Sequence, residues 1–202
     1  YIFSDYFKKI KKSINKQFFG SLLKYQITQT NGVALKTNYS NWRFNRTKCI
    51  GIEEINTVHL IHMLLSLFKK IKIIKKHITN ISGKNNDNAY YSFLTENKSV
   101  IDIFNSYTSP VVNNFSLIFV NAIINYNGKS ITICYPWKMS DKNGRLIEPK
   151  IRQNIKLDFS LDWKKSTEKS VEYFINQVQK KTFFKKKNYS KYIETLNFVY
   201  KK

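Results

Sequence analysis

In VHLIHMLLSLFKKIKIIKKHITNI (residues 58–81), Leu60, Leu64, Leu67, Ile71, Ile74 and Ile78 recur at steps of four, three, four, three and four. Apolar residues at that spacing fall on one face of a helix, so the stretch predicts a long amphipathic helix with a buried stripe. Lys69, Lys70, Lys72, Lys75 and Lys76 crowd its second half, where cations complement the helix dipole. The following SGKNNDN breaks it.

The rest of the chain reads as helices and strands in alternation. Residues 1–23 predict a second amphipathic helix, with Phe3, Phe7, Ile10, Ile14 and Phe18 on one face and lysines on the others. Residues 24–56 read as loop-rich, with KCIGI as a short strand. Strands are expected at AYYSFL (89–94), FSLIFVNAI (115–123), SITICYPW (130–137) and IKLDFSL (155–161), with a turn at YNGK and a short helix at NKSVIDIFNSY (97–107). A last helix is expected over 166–180, striped by Val171, Phe174, Ile175 and Val178 and capped by Asp162 or Ser166. Interleaved strands and helices predict an α/β layered domain. The expected organisation is a basic N-terminal helix (1–24), an α/β core (25–180) and a basic aromatic tail (181–202).

Charge is the other strong constraint. The chain has 202 residues and a formal charge of +22, from 35 basic and 13 acidic residues. Such an excess repels itself unless a polyanion meets it. Nucleic acid, an anionic membrane face and an acidic protein are the candidates. The bland source is codon bias: Ile, Lys, Asn, Phe and Tyr are abundant while Gly and Pro are scarce, as an AT-rich gene dictates. Yet acids are missing where lysines cluster. Three segments mix cations with aromatic rings that can stack on bases. They supply the candidate RNA-binding residues Lys8, Lys9, Lys11 and Lys12, then Trp42, Arg43, Arg46 and Lys48, then Lys180, Lys181, Lys185, Lys186, Lys187, Tyr189 and Lys191. The longest apolar run, about ten residues, is half what a spanning helix needs.

Catalytic signatures are few. His59 and His62 share a helix face and can begin a metal site, but no third ligand accompanies them. Cys49 and Cys134 read as reduced thiols. Asp87 with Glu96-Asn97-Lys98 matches a loose nuclease arrangement for magnesium. No GxGxxG, GxxxxGK[ST] or GxSxG is present. No metal, cofactor or enzymatic activity is expected.

Gly32, Val33, Leu35 and Trp42, then VHLIHM (58–63) and LDFSLDWKKSTEKSVEYFI (157–175), resemble the small-subunit ribosomal protein two family. Ala34 and Thr37 stand where that family has histidines. The resemblance implies a mostly parallel sheet flanked by helices, with residues from Val58 partly in a strand. It implies a non-enzymatic constituent of a mitochondrial ribosome, in the matrix, with ribosomal RNA and neighbouring ribosomal proteins as partners. The alternatives are a magnesium-dependent nuclease or maturase-like enzyme and a matrix-facing subunit of a respiratory complex.

Overall fold

The computed structural model describes residues 2–35, 45, 47–135, 140–180 and 190–200. Its centre is one eight-stranded sheet. In chain order the strands are β1 (Leu22–Thr30), β2 (Ile71–Thr79), β3 (Asn88–Thr95), β4 (Val100–Ser106), β5 (Val112–Phe119), β6 (Ile123–Tyr126), β7 (Ser130–Cys134) and β8 (Ile151–Lys156). The helices are α1 (Asp5–Ile14), α2 (Val58–Leu67), α3 (Phe159–Gln179) and α4 (Ser190–Tyr200), and a π-helix (Glu53–Thr57) runs directly into α2.

The strand order is β2-β3-β4-β1-β5-β6-β7-β8. From β1 the chain passes through the π-helix and α2 to the far edge, returns as the β2–β3–β4 meander, and then builds β5 to β8 on the other side of β1. Only β1 and β4 are parallel; the other six pairings are antiparallel. The fold is therefore mixed α/β with a mostly antiparallel sheet, which corrects the expected mostly parallel one. Hairpin connections make this possible, since antiparallel neighbours need only tight turns whereas parallel ones need long crossovers.

One sheet face is buried. Tyr25, Ile27, Tyr91, Phe93, Ile101, Ile103, Phe115 and Leu117 join the core with Tyr6, Phe7 and Ile10 of α1 and Leu60, Ile61, Met63 and Leu64 of α2. The alternate residues on the other face, among them Gln26, Thr28, Asp102, Phe104 and Asn125, are exposed or half-buried. There Lys24 pairs with Asp102 at 3.0 Å.

Several expected elements take another form. The helix expected over 58–81 ends at Leu67, and Phe68 is extended. The stretch beyond is β2, paired antiparallel with β3, and its register shifts between Ile73 and Lys75. That bulge inserts one residue into a period of two. Ile71, Ile73 and Ile78 then pack on the core while Ile74 is 57% exposed, and the interrupted alternation imitates helical spacing. Residues 100–106, expected as helix, form β4 with Ile101, Ile103 and Asn105 buried. Residues 24–30, expected as loop, lie in β1, the strand at the middle of the sheet. The run at 115–123 is a hairpin of β5 and β6, not one strand. KCIGI makes no strand; the chain bends at Gly51 (φ +102°), where a Cβ would meet the Asn86 carbonyl at 2.3 Å. In the segments carrying the ribosomal resemblance, Val33–Leu35 is a 3-10 turn, Val58 begins a helix, 157–175 lies mostly in α3, and Trp42 is outside the described residues.

Asp158, not Asp162 or Ser166, caps α3, accepting from the Leu161 amide at 2.9 Å. Asp162 is a cap nonetheless, for a different helix. Its carboxylate accepts from the Asp5 and Tyr6 amides at 2.7 and 3.1 Å and so docks the start of α1 against α3.

Candidate functional site

A cleft of about 420 Å³ opens at the end of β1. Four segments distant in sequence build it. The last turn of β1 and the residue after it supply Gln29, Thr30 and Asn31; the π-helix supplies Ile55 and Asn56; α2 supplies His59; the start of β5 supplies Val111, Val112 and Asn113; the start of α3 supplies Phe159 and Trp163. The place follows from topology. β1 is where the two halves of the sheet diverge, and such a divergence leaves a crevice at the strand ends.

Thr30 holds the floor together. Its hydroxyl donates to the Pro110 carbonyl and accepts from the Val112 amide at 2.9 Å. Phe159 and Trp163 stack one helical turn apart, with centroids 6.1 Å apart and planes 20° from parallel. Trp163 is 41% exposed, which leaves an aromatic ledge at the mouth. Asn113 carries a buried Nδ2 with no hydrogen-bond partner. A buried unpaired donor costs about 1–3 kcal/mol, and an acceptor on a bound molecule would offset that.

None of the eleven lining residues is Asp, Glu, Lys or Arg. In a chain of charge +22, a cleft walled by three asparagines, a glutamine, a threonine and an imidazole is matched to an uncharged, hydrogen-bonding ligand. His59 is the one lining group that titrates near neutrality. Partial desolvation by the cleft walls holds its pKa below the usual value of 6.5, with a smaller push from His62. Its imidazole is therefore neutral at pH 7 and able to accept a proton.

The residues expected to carry chemistry have other duties. Asp87 is fully buried and accepts from the Ile81 and Ser82 amides at 2.9 and 2.6 Å and from Asn88 Nδ2 at 2.7 Å. Glu96 accepts from the Lys69 and Lys70 amides, both at 3.1 Å. The two acids flank opposite ends of β3, about 25–30 Å apart at the rise of a strand, so they share no magnesium ion. Among the described residues no group of three His, Cys, Asp or Glu side chains is placed to hold a metal. Cys49 and Cys134 are buried and form no disulfide.

Of the basic candidates, Lys8, Lys9, Lys11 and Lys12 are exposed on α1, Lys48 in the turn after residue 46, Lys180 at the end of α3, and Lys191 on α4. Trp42, Arg43, Arg46, Lys181, Lys185, Lys186, Lys187 and Tyr189 lie outside the described residues. The cleft residues other than His59 escaped the sequence reading. They fall in four short pieces without a motif, and only the fold assembles them.

No family model and no curated protein matches the chain. Solved structures do. An oxidoreductase from Thermotoga maritima superimposes with a TM-score of 0.72 at 16% identity, over 96% of this chain and 54% of that one. A dehydrogenase from Clostridium difficile gives 0.65 at 12% identity, over 98% and 57%. Levoglucosan dehydrogenase, solved in complex with NADH and levoglucosan, gives 0.60 at 14% identity, over 73% and 42%. The likeness is one of fold, and the chain spans about half the length of these proteins.

This fold overturns the ribosomal reading and, with it, ribosomal RNA and ribosomal proteins as partners. It also overturns the expectation of a chain unrelated to enzymes, and it lends nothing to the nuclease or respiratory-subunit alternatives. Among the described residues no helix is long and apolar enough to cross a membrane. A dinucleotide does not fit what is here. Its usual cradle is a parallel βαβ unit with a GxGxxG turn against a helix N-terminus; the sequence has no such motif, and the single parallel pair, β1 with β4, carries no glycine-rich turn.

Proposed function

We propose that this chain is the substrate-holding half of an oxidoreductase, and that its cleft takes a small, uncharged, polyhydroxylated molecule. The carrying observation is the cleft's composition: carboxamides and a neutral imidazole facing a stacked aromatic pair, with no charged side chain, in a strongly basic protein. Carboxamides donate to and accept from hydroxyls, and an exposed indole offers a flat apolar surface to the C–H face of a sugar ring. The shared fold with levoglucosan dehydrogenase supports the same reading. In this arrangement Asn113 Nδ2 donates to a ligand oxygen, and the neutral His59 accepts a hydrogen bond from a ligand hydroxyl. The nucleotide belongs to a part of the enzyme outside these residues.

Saturation-transfer NMR tests this, with levoglucosan and sorbose as neutral probes and a sugar phosphate and a sugar acid as charged ones. Transfer to the neutral sugars, lost in Trp163→Ala and reduced at least tenfold in affinity in Asn113→Ala, is expected. NADH alone is expected to show no binding at micromolar concentration. Preference for the charged probes, or binding indifferent to both substitutions, would overturn the proposal.

A further inference from the structure

We infer that α4 governs the shape of the cleft by clamping the π-helix: docking of α4 holds residues 53–57 in the π register, and that register places Ile55, Asn56 and His59 on the cleft wall. The inference rests on the cleft being the binding site proposed above.

A π-helix closes wider turns than an α-helix and holds one extra residue. It is rare and found mostly at functional sites. If this one relaxed to α, residues on one side of it would turn by about 100° relative to those on the other. Ile55 and Asn56 lie inside the π-helix, whereas His59 lies just beyond it in α2. Relaxation would therefore separate them. The α register of the same residues is the second discrete state that a coupling between distant sites requires.

Restraints on it come from the sheet and from α4. Glu53 and Glu54 open the π-helix. Glu53 is 4% exposed; it accepts from the Tyr91 hydroxyl and pairs with Lys76 at 2.9 Å. The same Lys76 ammonium donates to the Val199 carbonyl in α4 at 3.2 Å. Glu54 accepts from the Ile50 amide at 3.0 Å and, through its other oxygen, from the Tyr200 hydroxyl at 2.6 Å. Two successive acids are thus tied to two successive residues at the end of α4, one through Lys76 and one directly. Burial of Thr195 and Val199, and an edge contact of Phe198 on Phe93 at 6.0 Å, seat the helix. Undocking α4 takes the Tyr200 hydroxyl from Glu54 and frees Lys76 from the Val199 carbonyl, so the ammonium paired with the nearly buried Glu53 loses its anchor in α4. The coupling is reciprocal by linkage: a ligand that needs the π register also favours docked α4.

The test uses the full chain and two readouts, amide exchange at 53–57 and 190–200, and affinity for the neutral sugar. Tyr200→Phe removes one oxygen from a half-exposed phenol and leaves the fold intact; Lys76→Met removes the second tie, and Lys76→Arg restores it. Each loss is expected to speed exchange at 53–57 at least tenfold and to weaken the sugar by a similar factor. Bound sugar is expected to slow exchange in α4 of the unaltered chain. Exchange that rises in α4 but not at 53–57 overturns the clamp, as does unchanged affinity with both ties removed. If no sugar binds the unaltered chain, the cleft proposal fails, and linked exchange of the two segments still decides the clamp.

Discussion

At the scale of single residues, Asp162 shows how a side chain's type can be read while its client cannot. An acid just before an apolar helical run marks a cap, and it is one; it serves α1, 156 residues away in sequence. Asp162→Ala leaves two amides at the start of α1 without acceptors. The expected loss is about 1–3 kcal/mol, against about 1 kcal/mol for Asp158→Ala at the start of α3, both read from urea denaturation. His59 yields a second prediction. Desolvation lowers its folded pKa, so the unfolded chain takes up the proton first. Its contribution to stability is complete above pH 6.5 and is lost as the pH falls through and below that value. NMR titration of the ring should give a midpoint below 6.5, and sugar affinity should fall over the same range.

At the scale of elements, the helix–strand boundary at Phe68 marks where periodicity misleads. The apolar spacing of α2 was legible because nothing interrupts it. The spacing of β2 was disguised by a bulge at Ile74. β4 was hidden differently: a seven-residue strand fixed by pairing on both sides looks, alone, like a short helix. β3 and β7 were legible from β-branched and aromatic runs bounded by turns. In α3 the stripe Val171, Phe174, Ile175 and Val178 lies on a helix as its spacing predicts, but all four are about half exposed. Phe174→Ser should therefore change stability by no more than about 0.5 kcal/mol. Leu64→Ala, in the sealed face of α2, should cost about 2–5 kcal/mol. Paired chemical denaturation curves check both.

At the scale of the whole molecule, the layered α/β class and the basic surface were open to the sequence, whereas the direction of the strands was not, because chain reversal is decided by turns and long-range pairing. With 35 basic residues against 13 acidic ones, the net +22 stays unmatched within the chain however the acids pair. Melting temperature should then rise as salt is raised from about 10 mM to about 500 mM, since screening relieves repulsion within the folded chain; a fall would show that attractive pairs dominate. The position of β1 has a consequence in time. It is made before the other strands of its sheet, yet its two neighbours begin at Val100 and Val112, about 70 and 80 residues after it ends. At roughly 5–20 residues per second of synthesis, the strand destined for the middle of the sheet waits several seconds with both edges bare. During that interval its bare edges can pair with a neighbour's copy, and the mutual repulsion of lysine-rich nascent chains opposes that pairing.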